Sequence, residues 1–178
     1  MCRAFARYNR WMNDKVYASA ARLTDEERKR DRGAFFGSIH NVLNHILVAD
    51  RIWLGRLAGR VPEPGYIGVD GIKTLDQEIA SDFDELRRER EQTDGRIDAW
   101  AETVTADTLA GILRMGRKGR SREVPVWWVV MQLFNHQTHH RGQITNLLFQ
   151  AGQDPGSTDV FTLLTQEAAS SGSGGRAR

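Results

Sequence analysis

The sequence predicts an all-α protein: a four-helix up-down bundle with a short hairpin and a short C-terminal helix. Three observations predict it. Four long segments repeat apolar residues at three- and four-residue steps, the period of a helix with one buried face. Glycine, proline and capping residues punctuate their ends. Only residues 109–125 depart from helical character, with apolar ends flanking MGRKGRSRE, which reads as a β-hairpin with a basic tip.

The first helix is expected from about Ala4 to Leu23, on the stripe Phe5, Tyr8, Met12, Val16, Ala20 and Leu23. Thr24 and Glu27 then have capping-box spacing ahead of DEERKRDRG, a solvated turn or one short polar helix. The second helix opens near Ser38 and closes at Ala58, where Gly59 supplies a C′ residue. Residues 60–73, VPEPGYIGVDGIK after Arg60, form a loop. Thr74 and Gln77 resemble a capping box opening the third helix, whose stripe runs from Leu75 through Ile79, Phe83, Leu86, Thr93, Ile97 and Trp100 to Val104. Arg90 interrupts that stripe, so a bend or a meeting with solvent is expected there, and Gly95 weakens the helix further. In the hairpin, Arg114, Arg117, Lys118, Arg120 and Arg122 make a solvated basic loop, since no interleaved aromatics offer a stacking platform. Pro125 fits N1 of the fourth helix, which ends at Ala151 before Gly152. Ser157, Thr158 and Asp159 can cap a last helix through Glu167. Residues 1–169 make one domain, and 170–178, SSGSGGRAR, a flexible tail.

Chemistry concentrates in the fourth helix, at FNHQTHHRGQITNLL. His136 and His140 are four apart and share the face Val129, Leu133, His136, His140, Ile144, Leu147. Two stacked imidazoles on a core face each need a partner for both ring nitrogens, and a divalent metal satisfies both at one point. The bland alternative is a pair of core histidines. His139 lies about 100° away and is not counted with them. On the second helix His45 borders the broad apolar face while His40 points elsewhere, so His45 is the histidine to join the pair.

Composition narrows the function. The chain has 178 residues, 40% hydrophobic and 27% charged, with a net charge of +2, which is the composition of an ordinary globular domain and gives no push toward nucleic acid. Cys2 is the only cysteine, so no internal disulfide forms and no fourth thiolate ligand is at hand. No membrane-length apolar run and no apolar signal region is present, so a cytoplasmic chain is expected. Gln137 stands where the HExxH motif has its glutamate, which disfavours that protease chemistry. No GxSxG, Walker or dinucleotide fingerprint occurs.

The segments NHQTHHRGQI, FGSIHNVLNHILVADRIWLGRL and ARYNRWMN resemble the DinB/YfiT family of metal-dependent helical-bundle proteins, from about Ala4 to Phe161. The resemblance implies a bundle, commonly dimeric, holding a divalent metal through His45, His136 and His140, with zinc or nickel foremost and iron also suited. It implies a small-molecule substrate and, in relatives that are transferases or isomerases, a low-molecular-weight thiol. The function expected is a metal-dependent enzyme, a thiol S-transferase or a hydrolase, in which three histidines activate the thiol or water against a small electrophile. The alternative is a non-catalytic, stress-associated metal- or ligand-binding dimer. Nearby residues carry further expectations. Arg141 and Gln143 orient substrate or meet an opposite subunit, with Arg141 as an exposed charge the alternative. Gly142 permits close helix approach. Asp50 accepts from an imidazole or lies on the surface. Tyr8, Trp11, Trp53 and Trp127 pack in the core or line a pocket.

Overall fold

The computed structural model describes residues 1–63, 65–117 and 120–173. In chain order these form α1 (Cys2–Ala20), α2 (Asp25–Lys29), α3 (Ile39–Leu57), α4 (Phe83–Thr103), α5 (Ala106–Ala110), β1 (Ile112–Arg117), β2 (Arg120–Pro125), α6 (Val126–Gln150) and α7 (Val160–Ser173). The four long helices α1, α3, α4 and α6 make the bundle. Lys118 at the expected basic tip, Pro64, and tail residues 174–178 lie outside the described residues. Among the described residues, no helix is long and apolar enough to cross a membrane.

Local chemistry explains most boundaries. Thr24 and Glu27 complete the capping box of α2, Thr24 Oγ1 accepting from Glu27 N at 3.2 Å and Glu27 Oε2 from Thr24 N at 2.8 Å. Ser38 caps α3 by accepting from Asn41 N at 3.1 Å, and Gly59 at φ 69° leaves it. Gly152, at φ 77°, does the same after α6. The hairpin pairs antiparallel from Ile112↔Pro125 to Arg117↔Arg120, with Arg114 and Glu123 joined across the strands at 2.6 Å. The last helix continues past the expected Glu167 to Ser173.

One boundary departs from expectation. No helix begins at Thr74; α4 starts at Phe83, where Asp82 accepts from Glu85 N at 2.8 Å. The cause is a tertiary hydrogen-bond set. The Asn44 side chain accepts from Ile79 N at 2.7 Å and Ala80 N at 3.2 Å, and donates to the Ala80 carbonyl at 3.2 Å. Main-chain groups that a helix would use are thus taken by α3. Gln77 reaches back to Lys73 N at 2.8 Å rather than to Thr74.

Side-chain pairs give the helix directions. On α1 and α4 they descend: Arg10 with Asp98, Asn13 with Asp94, Tyr17 stacked on Phe83. On α3 and α6 they also descend, from His45 with His140 to Asp50 with Gln137. α1 and α6 run parallel, Phe5 stacking on Phe134 and Asn9 meeting Arg141. α3 and α4 run parallel as well, so simple alternation is interrupted once, and the long connection 58–82 makes the crossover.

Within the bundle two apolar layers enclose a polar belt, and a third apolar cluster, Val48, Ile52 and Ile72, seats the connection 58–82 on α3. One layer gathers Val16, Tyr17, Leu43, Leu47, Leu86, Ile144 and Leu148; the other gathers Ala6, Leu54, Ile97, Ala101, Leu133 and Phe134. Between them each long helix contributes buried polar groups: Asn9 and Asn13, Asp50, Arg90 and Asp94, Gln137 and Arg141. Arg90 Nη1 donates to Asp50 Oδ2 at 2.5 Å and its Nη2 lies 2.9 Å from Asp94 Oδ1. Asn13 donates to both Asp94 oxygens at 3.0 and 3.1 Å, and Asn9 to one at 3.3 Å. Arg141 donates to Gln137 Oε1 at 2.8 Å and to Asn9, and Gln137 donates to Asp50. Arg90 therefore neither bends α4 nor meets solvent, and Arg141 is not an exposed charge. Asp50, at 0% exposure, is neither a surface residue nor an imidazole partner; its contacts are Arg90 and Gln137. Burial pushes its carboxyl up to about 7, against the pull of Arg90. Arg90→Ala leaves two buried carboxylates without their cation, and about 3–5 kcal/mol of stability should be lost. Arg87→Ala removes only an exposed pair with Glu91, worth about 0.3–0.5 kcal/mol; urea unfolding of both variants measures the contrast.

Candidate metal centre

Three imidazoles meet at the seam of α3 and α6. The four-residue step stacks His136 and His140 on one face of α6, and the antiparallel crossing lays His45 of α3 against them. His45 Nε2 lies 3.3 Å from His136 Nε2 and 3.2 Å from His140 Nε2. Among the described residues this trio is the group of histidine, cysteine or acidic side chains that can hold a metal ion. These are the three residues expected from the sequence to come together.

The outer nitrogens decide what the inner ones offer. His45 Nδ1 stands 2.8 Å from the Leu75 carbonyl, and His140 Nδ1 stands 2.8 Å from Gln143 Oε1. Both neighbours accept, so each ring carries its proton on Nδ1 and turns an Nε2 lone pair inward. Two lone pairs 3.2 Å apart repel, and burial, which lowers the basicity of both rings, disfavours a proton shared between them. A cation between them removes the conflict. Tetrahedral zinc–nitrogen bonds of about 2.0–2.1 Å place ligand nitrogens roughly 3.3–3.4 Å apart, which matches the observed spacing. The donor set fits a divalent ion of the zinc, nickel or iron kind.

Electrostatics keep the rings in the ligand form. Burial lowers the pKa of His45; burial and the neighbouring imidazoles bring His136 down to about 3 and His140 to about 4, from an ordinary 6.5. His45 and His140 are buried, His136 half-buried. Phe36 stacks on His45 with centroids 3.9 Å apart and sets its ring edge-on to His140 at 5.8 Å, covering the trio from one side. Beside His45 and His136 opens a cavity of about 580 Å³, walled by Ile52, Trp53, Ile67 and Leu75 and bearing Arg56, Lys73 and Gln132. Its size is that of a small-molecule site.

Other residues fall into place around the trio. His139 is exposed and its Nε2 lies 3.2 Å from Gln143 Nε2, outside the cluster. His40 points elsewhere as expected, its Nε2 2.9 Å from Glu78 and 3.1 Å from Asn44. Gly142 is open on the outer face, and a Cβ there would meet nothing within 4 Å, so it permits no close helix approach. Of the four pocket candidates, Trp53 lines the cavity; Trp127 is exposed, and Tyr8 packs beside Trp11 with its hydroxyl on the Thr158 carbonyl at 2.6 Å. Sequence reasoning missed Phe36, Arg56, Lys73 and the Leu75 carbonyl. The last leaves no signal in a side-chain pattern because it is a main-chain group.

Comparison with known proteins agrees with this architecture. Residues 1–171 match the model of the DinB family. The chain is 23% identical over 179 residues to Protein DinB of Bacillus subtilis (strain 168), covering 90% of this chain and 94% of that protein. A crystal structure of a DinB-like protein from Bacillus cereus ATCC 10987 matches with a TM-score of 0.60 at 23% identity, over 86% of this chain and 94% of that one, a likeness of fold. Helical bundle, converging imidazoles and a family match across nearly its full length lead to one conclusion: the chain belongs to the DinB family.

Proposed function

We propose that His45, His136 and His140 hold a divalent metal ion and that the protein is a metal-dependent enzyme acting on a small electrophile, with a low-molecular-weight thiol or water as nucleophile. The observation that carries this reading is the convergence of three imidazole Nε2 atoms with no fourth protein ligand among the described residues. A closed structural site ordinarily has four protein ligands, whereas three leave room for an exogenous one. A divalent ion bound there supplies Lewis acidity, which brings deprotonation of a thiol or water into the neutral range.

The chain's own residues do the rest. The Leu75 carbonyl and Gln143 fix two imidazole tautomers and ring orientations. Phe36 keeps water from one side of the trio. The cavity next to His45 and His136 receives the substrate, its apolar walls taking the uncharged part. Exposed Trp127, Trp128 and Met131, at 48%, 50% and 59%, support a homodimer built on the start of α6.

Elemental mass spectrometry should find about one metal per chain, lost in His136→Ala. Loaded protein should then turn over in a panel of thiols with electrophiles, or of esters and amides; metal uptake without any turnover favours the non-catalytic binding alternative. In the metal-free protein the depressed histidines set a pH dependence. The unfolded chain takes up protons that the folded one refuses, so stability is complete above pH 6.5 and declines as pH falls from there toward 4. Between about pH 7 and about pH 5 the melting temperature should fall further for wild type than for His136→Ala. Sedimentation at micromolar concentration should show a dimer, which Trp128→Glu weakens; a wild type that is monomeric throughout removes the dimer reading.

A further inference from the structure

The cavity beside the imidazoles has a charge pattern that selects its occupant. Among the described residues that line it are two cations, Arg56 and Lys73, and no aspartate or glutamate. Asp76 acts electrostatically on His45 but does not line the cavity. The remaining surface is mostly aliphatic and aromatic, and such low-dielectric walls strengthen the field of the two cations within.

Both cations are held in position. Arg56 lies in the last turn of α3, where the helix dipole favours a positive charge, and its guanidinium sits 4.4 Å over the Trp53 ring. Stacking on the ring orients the guanidinium plane. Lys73 comes from the connection 58–82, its Nζ 5.1 Å over the Tyr66 ring. One cation thus comes from the bundle and one from the crossover, on elements that both wall the same space. Arg56 is half-buried and Lys73 exposed, and both share a wall with Ile52, Trp53 and Ile67 beside the imidazoles.

We infer that the cavity takes a small molecule with an oxyanion end group, a carboxylate in the simplest case, held by Arg56 and Lys73 while its apolar body lies on Ile52, Trp53 and Ile67. The inference extends the proposed function by naming the class of molecule that reaches the imidazoles, and it stands on the cavity rather than on the metal.

The test compares 3-phenylpropionate with its neutral isostere 3-phenylpropanamide, followed through the Trp53 indole N–H in ¹⁵N-labelled protein, assigned with Trp53→Phe. Both probes are titrated into metal-free and zinc-loaded protein. The acid should bind the metal-free form about tenfold more tightly than the amide, as expected for a charge-assisted hydrogen bond. Arg56→Gln with Lys73→Gln should reduce that ratio to about one while leaving amide binding intact, which also reports that the fold persists. Equal affinity for the two probes, no acid binding, or a preference that survives the double substitution overturns the inference. A protein that takes up no zinc yet prefers the acid in a manner dependent on Arg56 and Lys73 defeats the metal reading and leaves this one standing.

Discussion

The interaction on which the rest depends is the wholly buried pairing of Arg90 with Asp50 and Asp94. Apolar layers alone hold helices together without fixing how far one slides past the next. A cation at mid-height, hydrogen-bonded to a carboxylate on α3 and ion-paired with another on its own helix, fixes the axial position of α3 against α4. Asn9 and Asn13 bring α1 to the same level, and Gln137 with Arg141 bring α6. Two guanidiniums face two carboxyl groups, and desolvating such groups is costly, so their worth lies in register more than in stability. That register reaches the imidazoles directly. Gln137 and Arg141 each follow a histidine of the trio by one residue, and Asp50 lies five residues beyond His45 on α3. A slip of one residue between α3 and α6 would break the belt and separate the Nε2 atoms together.

Two demands compete within this small bundle. The belt buries charge that must be paired, while the trio buries bases that must stay unprotonated. They coexist because they occupy neighbouring faces of the same turns of α6, one residue and about 100° apart. Arg141 reaches Asn9 on α1 and Gln137 reaches Asp50 on α3, whereas the Nε2 atoms of His136 and His140 meet that of His45. Neutral Gln137 separates the Asp50 carboxylate from the imidazoles, so no carboxylate bonds a ring nitrogen of the trio and lifts its basicity toward protonation.

Most of the fold was legible in the sequence because helical periodicity and caps are local. Ser38, Gly59 and Gly152 mark ends that the chain obeys, and the stripe through His136 and His140 is the face that meets α3. Where partners lie far apart in sequence, legibility fails. A capping box at Thr74 is sound local chemistry, yet Asn44, some thirty-five residues earlier, claims the backbone at Ile79 and Ala80. Asp50, Arg90 and Arg141 each carry a surface reading among their alternatives because an isolated charge belongs in water, and nothing local shows that their counter-groups sit on other helices. The trio was legible for the opposite reason: two of its members share one helix, and the spacing that joins them is written in that helix alone.

The crossover 58–82 has a consequence for how such a protein can be altered. It walls the cavity with Ile67, Lys73 and Leu75, and it touches the trio through a carbonyl oxygen, which every amino acid possesses. Leu75 itself is 54% exposed. Ile72, fully buried, packs with Val48 and Ile52 of α3, so it is the exposed side chains of the segment that can vary without disturbing the imidazoles. The bundle is a chassis, and the crossover an insert that can be rewritten to admit different molecules over an unchanged centre.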